Sequence, residues 1–136
     1  MNTASRSENI ASGYAVGGVR WTLRGEAFVV FISSMAIFFV LGGNLWMFAI
    51  LFFVPDLSFI AYAVNTRVGA VVYNVVHSYA LAAVLAVAGM GLESEILWQV
   101  ALILTAHSAF DRTLGYGLKY AAGFRQTHLG PIGKRG

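Results

Sequence analysis

The sequence predicts an all-α integral membrane protein: a four-helix bundle with both termini cytoplasmic and an interfacial C-terminal segment. Three observations predict this. The 136-residue chain is 58% hydrophobic and only 11% charged, where soluble domains run near ~25% charged, and its mean hydropathy is +0.71. Its apolar residues fall in runs long enough to make helices that cross a bilayer. Its nine Lys and Arg residues all lie at alternate ends of those runs. There is no cysteine, which excludes a disulfide framework or a thiolate metal site. A net charge of +3 and a pI near 9.5 raise the question of nucleic acid. The basic residues form no stripe, however, so the expected partner is a membrane surface and not nucleic acid.

Residues 1–23 read as a polar, Gly/Ser-rich cytoplasmic tail with an interfacial turn around Trp21. No apolar stretch precedes a small-residue cleavage site, so no signal peptide is expected. The membrane domain is expected over 24–114. Its first span covers 24–42 and ends at the turn signal Gly42-Gly43-Asn44. Leu45 to Val54 is strongly apolar but too short to cross alone, so the second span is expected to run through Pro55 to about Val64, kinked where proline removes a backbone bond. Asn65-Thr66 is a helix N-cap signal. The third span then runs from Arg67 to Met90, with a small or polar stripe of Ala70, Asn74, Ser78, Ala82 and Ala86 that permits close packing in lipid. The fourth covers 94–114. Beyond it, residues 115–136 read as a tail lying on the surface through Tyr116, Tyr120 and Phe124.

Charge orients the chain. Arg6, Arg20 and Arg24 precede span one; Arg67 separates spans two and three; Arg112, Lys119, Arg125, Lys134 and Arg135 close the chain. The opposite loops carry only Glu93 and Glu95. By the positive-inside rule both termini face the cytoplasm, and an inner, cytoplasmic membrane is the expected location.

Polar groups converge in depth. At ~1.5 Å per helical residue, His77 lies roughly 15 Å from the cytoplasmic end of span three, Asp56 about 12–15 Å along span two, and His107 and Asp111 about 10 and 5 Å along span four. Ionisable groups inside a membrane are costly and normally face the bundle interior. His107 and Asp111, four residues apart, share one helix face. Each also has a bland reading. Asp111 and Arg112 could be an interfacial ion pair, His77 could bond Asn74 or a backbone carbonyl as packing glue, and Asp56 could satisfy backbone groups freed by Pro55. Ser33 and Ser34 read as packing residues, and the aromatic residues of spans one and two as lipid-facing bulk.

Pro55-Asp56-Leu57-Ser58, Asn65-x-Arg67-Val68-Gly69-Ala70, Tyr73-Asn74 and His77-x-Tyr79 together resemble a family of small bacterial membrane proteins, the domain-of-unknown-function family 4260. The match continues through Ala106-His107, Phe110-Asp111-Arg112, Leu114-Gly115-Tyr116-Gly117-Leu118-Lys119-Tyr120 and Thr127-His128-Leu129-Gly130, covering about Arg24 to Gly133. The resemblance implies a four-span membrane protein and no activity. The family pattern commonly places a proline shortly after the Tyr79 position. This chain has Ala80-Leu81-Ala82 there, so a straighter third span is expected.

Three functions fit these residues. The first is a metal-dependent hydrolase for an anionic amphiphile. Here His77, His107 and His128 hold zinc or iron, Asp56 and Asp111 act as catalytic base and ligand, and Arg67, Arg112 and Lys119 bind the headgroup. No HExxH-type motif supports it. The second is a non-catalytic accessory subunit bound to other membrane subunits. The third is a bundle in which His77 and His107 ligate a haem or chlorin.

Overall fold

A computed structural model of the chain describes residues 13–133; Arg6, Lys134 and Arg135 of the charge pattern lie outside them. The described elements are α1 (Gly17–Val40), α2 (Leu45–Phe52), a 3-10 helix (Val54–Ala63), α3 (Thr66–Val76), α4 (Tyr79–Gly91) and α5 (Glu95–Leu114). The only β pairing among the described residues is one bridge between Lys119 and Thr127.

Helix α1 starts at Gly17, seven residues before the expected start, because its first turns are anchored. The Arg24 guanidinium stacks over Trp21 at 4.6 Å, and its Nε donates to the Thr113 carbonyl at 2.8 Å. That carbonyl lies in the last turn of α5, where backbone acceptors lack helical partners. The turn after α1 falls where Gly42-Gly43-Asn44 predicts it. Gly42 takes φ +84°, and any side chain on Gly43 would strike the Phe38 ring. Asn44 then caps α2, its side chain accepting from the Trp46 and Met47 amides.

Pro55 does not simply kink the second span. It sits in the first turn of a ten-residue 3-10 helix, far longer than the three or four residues usual for that form. Eight α-helical residues at ~1.5 Å and ten 3-10 residues at ~2.0 Å reach roughly 32 Å, enough to cross a hydrocarbon core of ~30 Å. With three residues per turn, positions i and i+3 eclipse. Asp56, Phe59 and Tyr62 therefore form one row. Phe59 stacks on Tyr73 of α3 at 5.5 Å, and Tyr62 lies against Gly69, where a Cβ would collide with its ring.

The third span departs from expectation. It breaks at His77-Ser78, and α3 and α4 meet at a 42° bend. The lack of proline after Tyr79 does not keep it straight, because Ser78 itself restarts the helix: its hydroxyl accepts from the Ala80 amide at 3.0 Å. The stripe expected to run unbroken through Asn74, Ser78 and Ala82 is cut there. Asn65 caps α3 as its sequence predicts, accepting from the Val68 amide at 2.8 Å.

Helix α5 is the central element and packs chiefly on α1 and α4, while α3 pairs with the 3-10 helix. The core beside it consists of Phe38, Phe48, Phe52, Ile103 and Ala106, flanked by Phe31 and Phe110. Phe31, Phe38, Phe48 and Phe52 are therefore packing partners and not lipid-facing bulk, while Phe28, Trp46 and Phe53 are exposed on the outside as expected. Phe48 stacks on Phe52 at 5.4 Å, and Phe52 meets Phe110 edge-on at 5.7 Å. Such pairs contribute about 0.5–1.5 kcal/mol each beyond area burial, which matters where lipid removes the usual hydrophobic drive between helices.

Large apolar side chains cover the outside: Val40, Trp46, Ile60 and Leu92 are each more than 70% exposed. Two helical segments, Gly17–Val40 and Leu45–Ala63, are long and apolar enough to cross a membrane, and a third crossing is available if the bent α3–α4 pair counts as one span. Helix α5 has the length, at 20 residues, but carries Gln99, His107, Ser108 and Asp111. It is the helix that brings polar groups to the centre.

Candidate metal centre

Four side chains from three elements meet between α5, α3 and the 3-10 helix. Asp56 enters from the first turn of the 3-10 helix, immediately after Pro55. His77 sits at the C-terminal cap of α3, at the break before Ser78. His107 and Asp111 come from one face of α5, as their spacing predicts. One ligand-capable atom from each lies within 4.8 Å of every other.

The histidines approach closest, Nε2 to Nε2, at 3.0 Å. His107 Nε2 is 3.4 Å from Asp56 Oδ1, and Asp111 Oδ2 is 3.6 Å from Nε2 of both rings. Asp56 Oδ1 stands 3.9 Å from His77. Bonds of ~2.0–2.2 Å to a tetrahedral ion imply ligand separations of roughly 3.3–3.6 Å, and these separations bracket that range. Both histidines are buried; Asp111 is 15% and Asp56 38% exposed at the side chain. The cluster is closed on the histidine side and open at Asp56.

The surroundings fix how the rings present themselves. His77 Nδ1 lies 2.9 Å from the Tyr73 carbonyl, an acceptor only, so Nδ1 carries the proton and Nε2 turns its lone pair into the cluster. The Tyr73 ring stacks on His77 with centroids 3.8 Å apart, and its hydroxyl donates to Asp111 Oδ2 at 3.1 Å. Tyr73 thus orients a histidine and a carboxylate at once, the kind of outer support that metal ligands require. Of the two expected packing partners of His77, Asn74 or a backbone carbonyl, it is the carbonyl of Tyr73 that the ring takes. His107 packs edge-on against Phe52 at 5.1 Å, and its Nδ1 is buried with no hydrogen-bond partner.

After Gly115 the C-terminal segment folds back over this end of the bundle, with Tyr116, Tyr120 and Phe124 still partly exposed. Asn74 grips it twice: its Nδ2 donates to the Lys119 carbonyl at 2.8 Å and its Oδ1 accepts from the Lys119 amide at 2.6 Å. The His128 carbonyl accepts from the Ala15 amide at 2.8 Å, and Tyr120 Oη donates to the Gly13 carbonyl at 2.6 Å. Thr127 and Leu129 are buried beneath. We call residues 116–130 the strap.

The strap redistributes the residues expected to serve the site. His128 stands apart from the cluster, its Nδ1 accepting from the Leu118 amide at 2.9 Å. Burial and the Arg112 charge hold its pKa below the usual histidine value. Arg67 is exposed and belongs to no contact with the cluster. Arg112 forms no ion pair with Asp111 among the described residues; its guanidinium lies over the Tyr79 ring at 4.1 Å. Lys119 is buried, only 4% exposed, with Nζ 4.8 Å from the Tyr73 ring and 4.2 Å from the Phe124 ring. Burial pushes its ammonium down to about 8, against an opposing pull from Asp111. A cavity of about 370 Å³ separates the strap from the cluster, lined by Asp56, Asp111, Lys119, Phe59, Phe110 and Phe124 among others.

The sequence pattern of a domain of unknown function, DUF4260, matches residues 20–132. The chain belongs to the DUF4260 family. No curated protein matches it, and no solved structure does. The matched span takes in the whole cluster and the strap, so Asp56, His77, His107, Asp111 and Lys119 all lie within the part of the chain that makes it a DUF4260 member.

Proposed function

We propose that this DUF4260 chain is a membrane metalloprotein, with His77, His107, Asp111 and Asp56 holding one divalent ion, zinc or iron(II), and that it acts as a hydrolase on an anionic amphiphile. The observation that carries this is the convergence of four ligand-capable atoms from three elements, with the His77 lone pair aimed into the middle. Two buried imidazoles whose Nε2 atoms face each other at 3.0 Å need a cation or a proton between them. Two histidines and a carboxylate on one side, with a more open carboxylate opposite, resemble the donor sets of zinc and non-haem iron(II) sites. A divalent ion held there would lower the pKa of a bound water toward ~7 and polarise a scissile ester. The half-exposed Asp56 is the ligand that would give way to that water and serve as its base.

A haem or chlorin between His77 and His107 does not suit this geometry. Two trans nitrogens at ~2.0 Å from one ion would stand about 4 Å apart, more than the 3.0 Å seen. One observation favours the accessory-subunit reading. His107 Nδ1 has no partner, whereas a ligating histidine nearly always donates its other N–H. In that case His107 Nε2–H donates to His77 Nε2 and the cluster only ties helices together.

In the membrane, the proposed arrangement is four crossings with both termini in the cytoplasm of a bacterial cell and the centre in the cytoplasmic half. Basic residues at the tails and the 65–67 turn support it, as does enclosure of α5 by α1 and α4, which lets a helix with polar residues cross. A double-mutant cycle of His77→Ala and Asp111→Ala, read as thermal stability in detergent with and without a chelator, tests the centre. Shared metal makes either single loss nearly as damaging as both, and the chelator abolishes the coupling. Additive losses near ~0.6 kcal/mol per interhelical bond, insensitive to chelator, would leave the accessory-subunit reading.

A further inference from the structure

Lys119 is the least explained charged group in the molecule. It arrives from the strap and not from a membrane helix, and Asn74 pins its backbone on both sides. A side chain this buried ordinarily has a carboxylate partner. Among the described residues Lys119 has no ion pair; the groups around its ammonium are the faces of Tyr73 and Phe124. Those faces hold the charge in place but cannot accept its N–H groups in ordinary hydrogen bonds. The side chain lines the cavity of about 370 Å³ that Asp56 and Asp111 also line.

We propose that Lys119 is the anion subsite of this centre and that the cavity takes an amphiphile with a single apolar chain and a single negative charge. The inference rests on the metal reading, through charge. Two carboxylates and a divalent ion cancel, the histidines are neutral ligands, and Lys119 leaves a net charge of +1. That balance suits a phosphodiester or a carboxylate and leaves a dianionic phosphate monoester short of one countercharge. The cavity stands near the low end of the ~300–1,000 Å³ usual for small-molecule sites, room for one chain and not for the two of a bilayer phospholipid. Phe59, Phe110, Leu114, Phe124 and Ile132 supply its apolar wall. Arg67 and Arg112, expected beside Lys119 at a headgroup, do not line it.

The test uses the full chain purified in neutral detergent, with its metal content measured on every sample. Binding is measured by calorimetry for lysophosphatidylglycerol, laurate, a neutral monoacylglycerol and inorganic phosphate. The two anionic amphiphiles should bind at least tenfold more tightly than the neutral one, and free phosphate should bind weakly for want of a chain. Lys119→Gln should remove that tenfold preference and leave metal content unchanged. Asn74→Ala is the control for a loosened strap: it keeps the ammonium, so the preference for anions should survive even if overall affinity falls. Metal-loaded protein that binds neutral and anionic amphiphiles equally, or whose preference Lys119→Gln leaves intact, overturns the subsite while the metal centre stands. Tight binding of phosphate alone overturns the amphiphile. Protein without metal overturns both readings, and the metal analysis identifies that outcome.

Discussion

Tyr73 serves the cluster in three ways: its carbonyl sets the His77 tautomer, its ring stacks on His77, and its hydroxyl reaches Asp111. Removing only the hydroxyl should therefore weaken metal binding without unfolding the protein. For Tyr73→Phe we expect metal affinity to fall ~10–100-fold, the usual effect of losing an outer support, with thermal stability in the presence of chelator nearly unchanged. Competition with a chromophoric chelator gives the affinity; a value equal to that of the unaltered protein would show that Asp111 is not a ligand held by Tyr73. At this scale the sequence is informative about chemistry and poor about direction. His107 and Asp111 share a face by spacing alone, and Asp56 and His77 are conspicuous because charge inside a membrane is costly. Nothing local says that Tyr73 and not Asn74 supports His77. That depends on the helix ending at His77, where the ring folds back on the preceding turn. His128 matched the others in residue type only; its partner, the Leu118 amide, is formed by a turn that no periodicity marks.

The strap and the 3-10 helix are the elements that bring the site together. His128 ties the strap to itself by accepting the Leu118 amide at Nδ1, a bond that a protonated ring cannot accept. Its pKa in the fold lies below the ordinary ~6.5, so the unfolded strap binds the proton more readily. The resulting stabilisation is fully present above pH ~6.5 and is lost as pH falls through the depressed value. Hydrogen exchange at the Leu118, Tyr120 and His128 amides should therefore speed up between pH 7 and 5 beyond the intrinsic rate change. His128→Gln should remove that dependence; a strap whose protection is the same across this range would contradict the role given to His128. Helix boundaries in the chain were legible where a cap residue marks them, at Asn44 and Asn65, and the Gly42 turn was equally clear. The 3-10 run after Pro55 was not, since its ten residues are as apolar and regular as an α-helix would be. The strap also escaped reading. Tyr116, Tyr120 and Phe124 are each about 41–42% exposed, as an interfacial segment would have them, while Lys119 between them turns inward through a contact 45 residues away in sequence.

For the whole molecule, composition alone indicates a membrane protein, and the apolar exterior of α1 and α2 agrees with it. The alternation of basic and acidic ends is the basis of the proposed orientation. With no native cysteine, single cysteines at Gly13, Ser94 and Gly133 report the topology directly. An impermeant thiol reagent added to intact cells should label only Ser94→Cys; labelling at Gly13→Cys or Gly133→Cys instead would invert or break the four-crossing arrangement. The broken third span places His77 at the end of α3, where its Nε2 lies 3.0 Å from that of His107. The polar residues of α5, which lower its apolarity below that of the other spans, are the same ones that make the centre.

The central claim is that the four converging side chains hold a metal ion, and its most direct measurement is the metal-to-protein ratio of the full chain purified without chelators and dialysed against metal-free buffer. The account predicts about one zinc or iron per chain, falling to near zero in both His77→Ala and His107→Ala and unchanged in His128→Ala. A ratio near zero in the unaltered protein, with no uptake on adding zinc or iron(II) anaerobically, would contradict it.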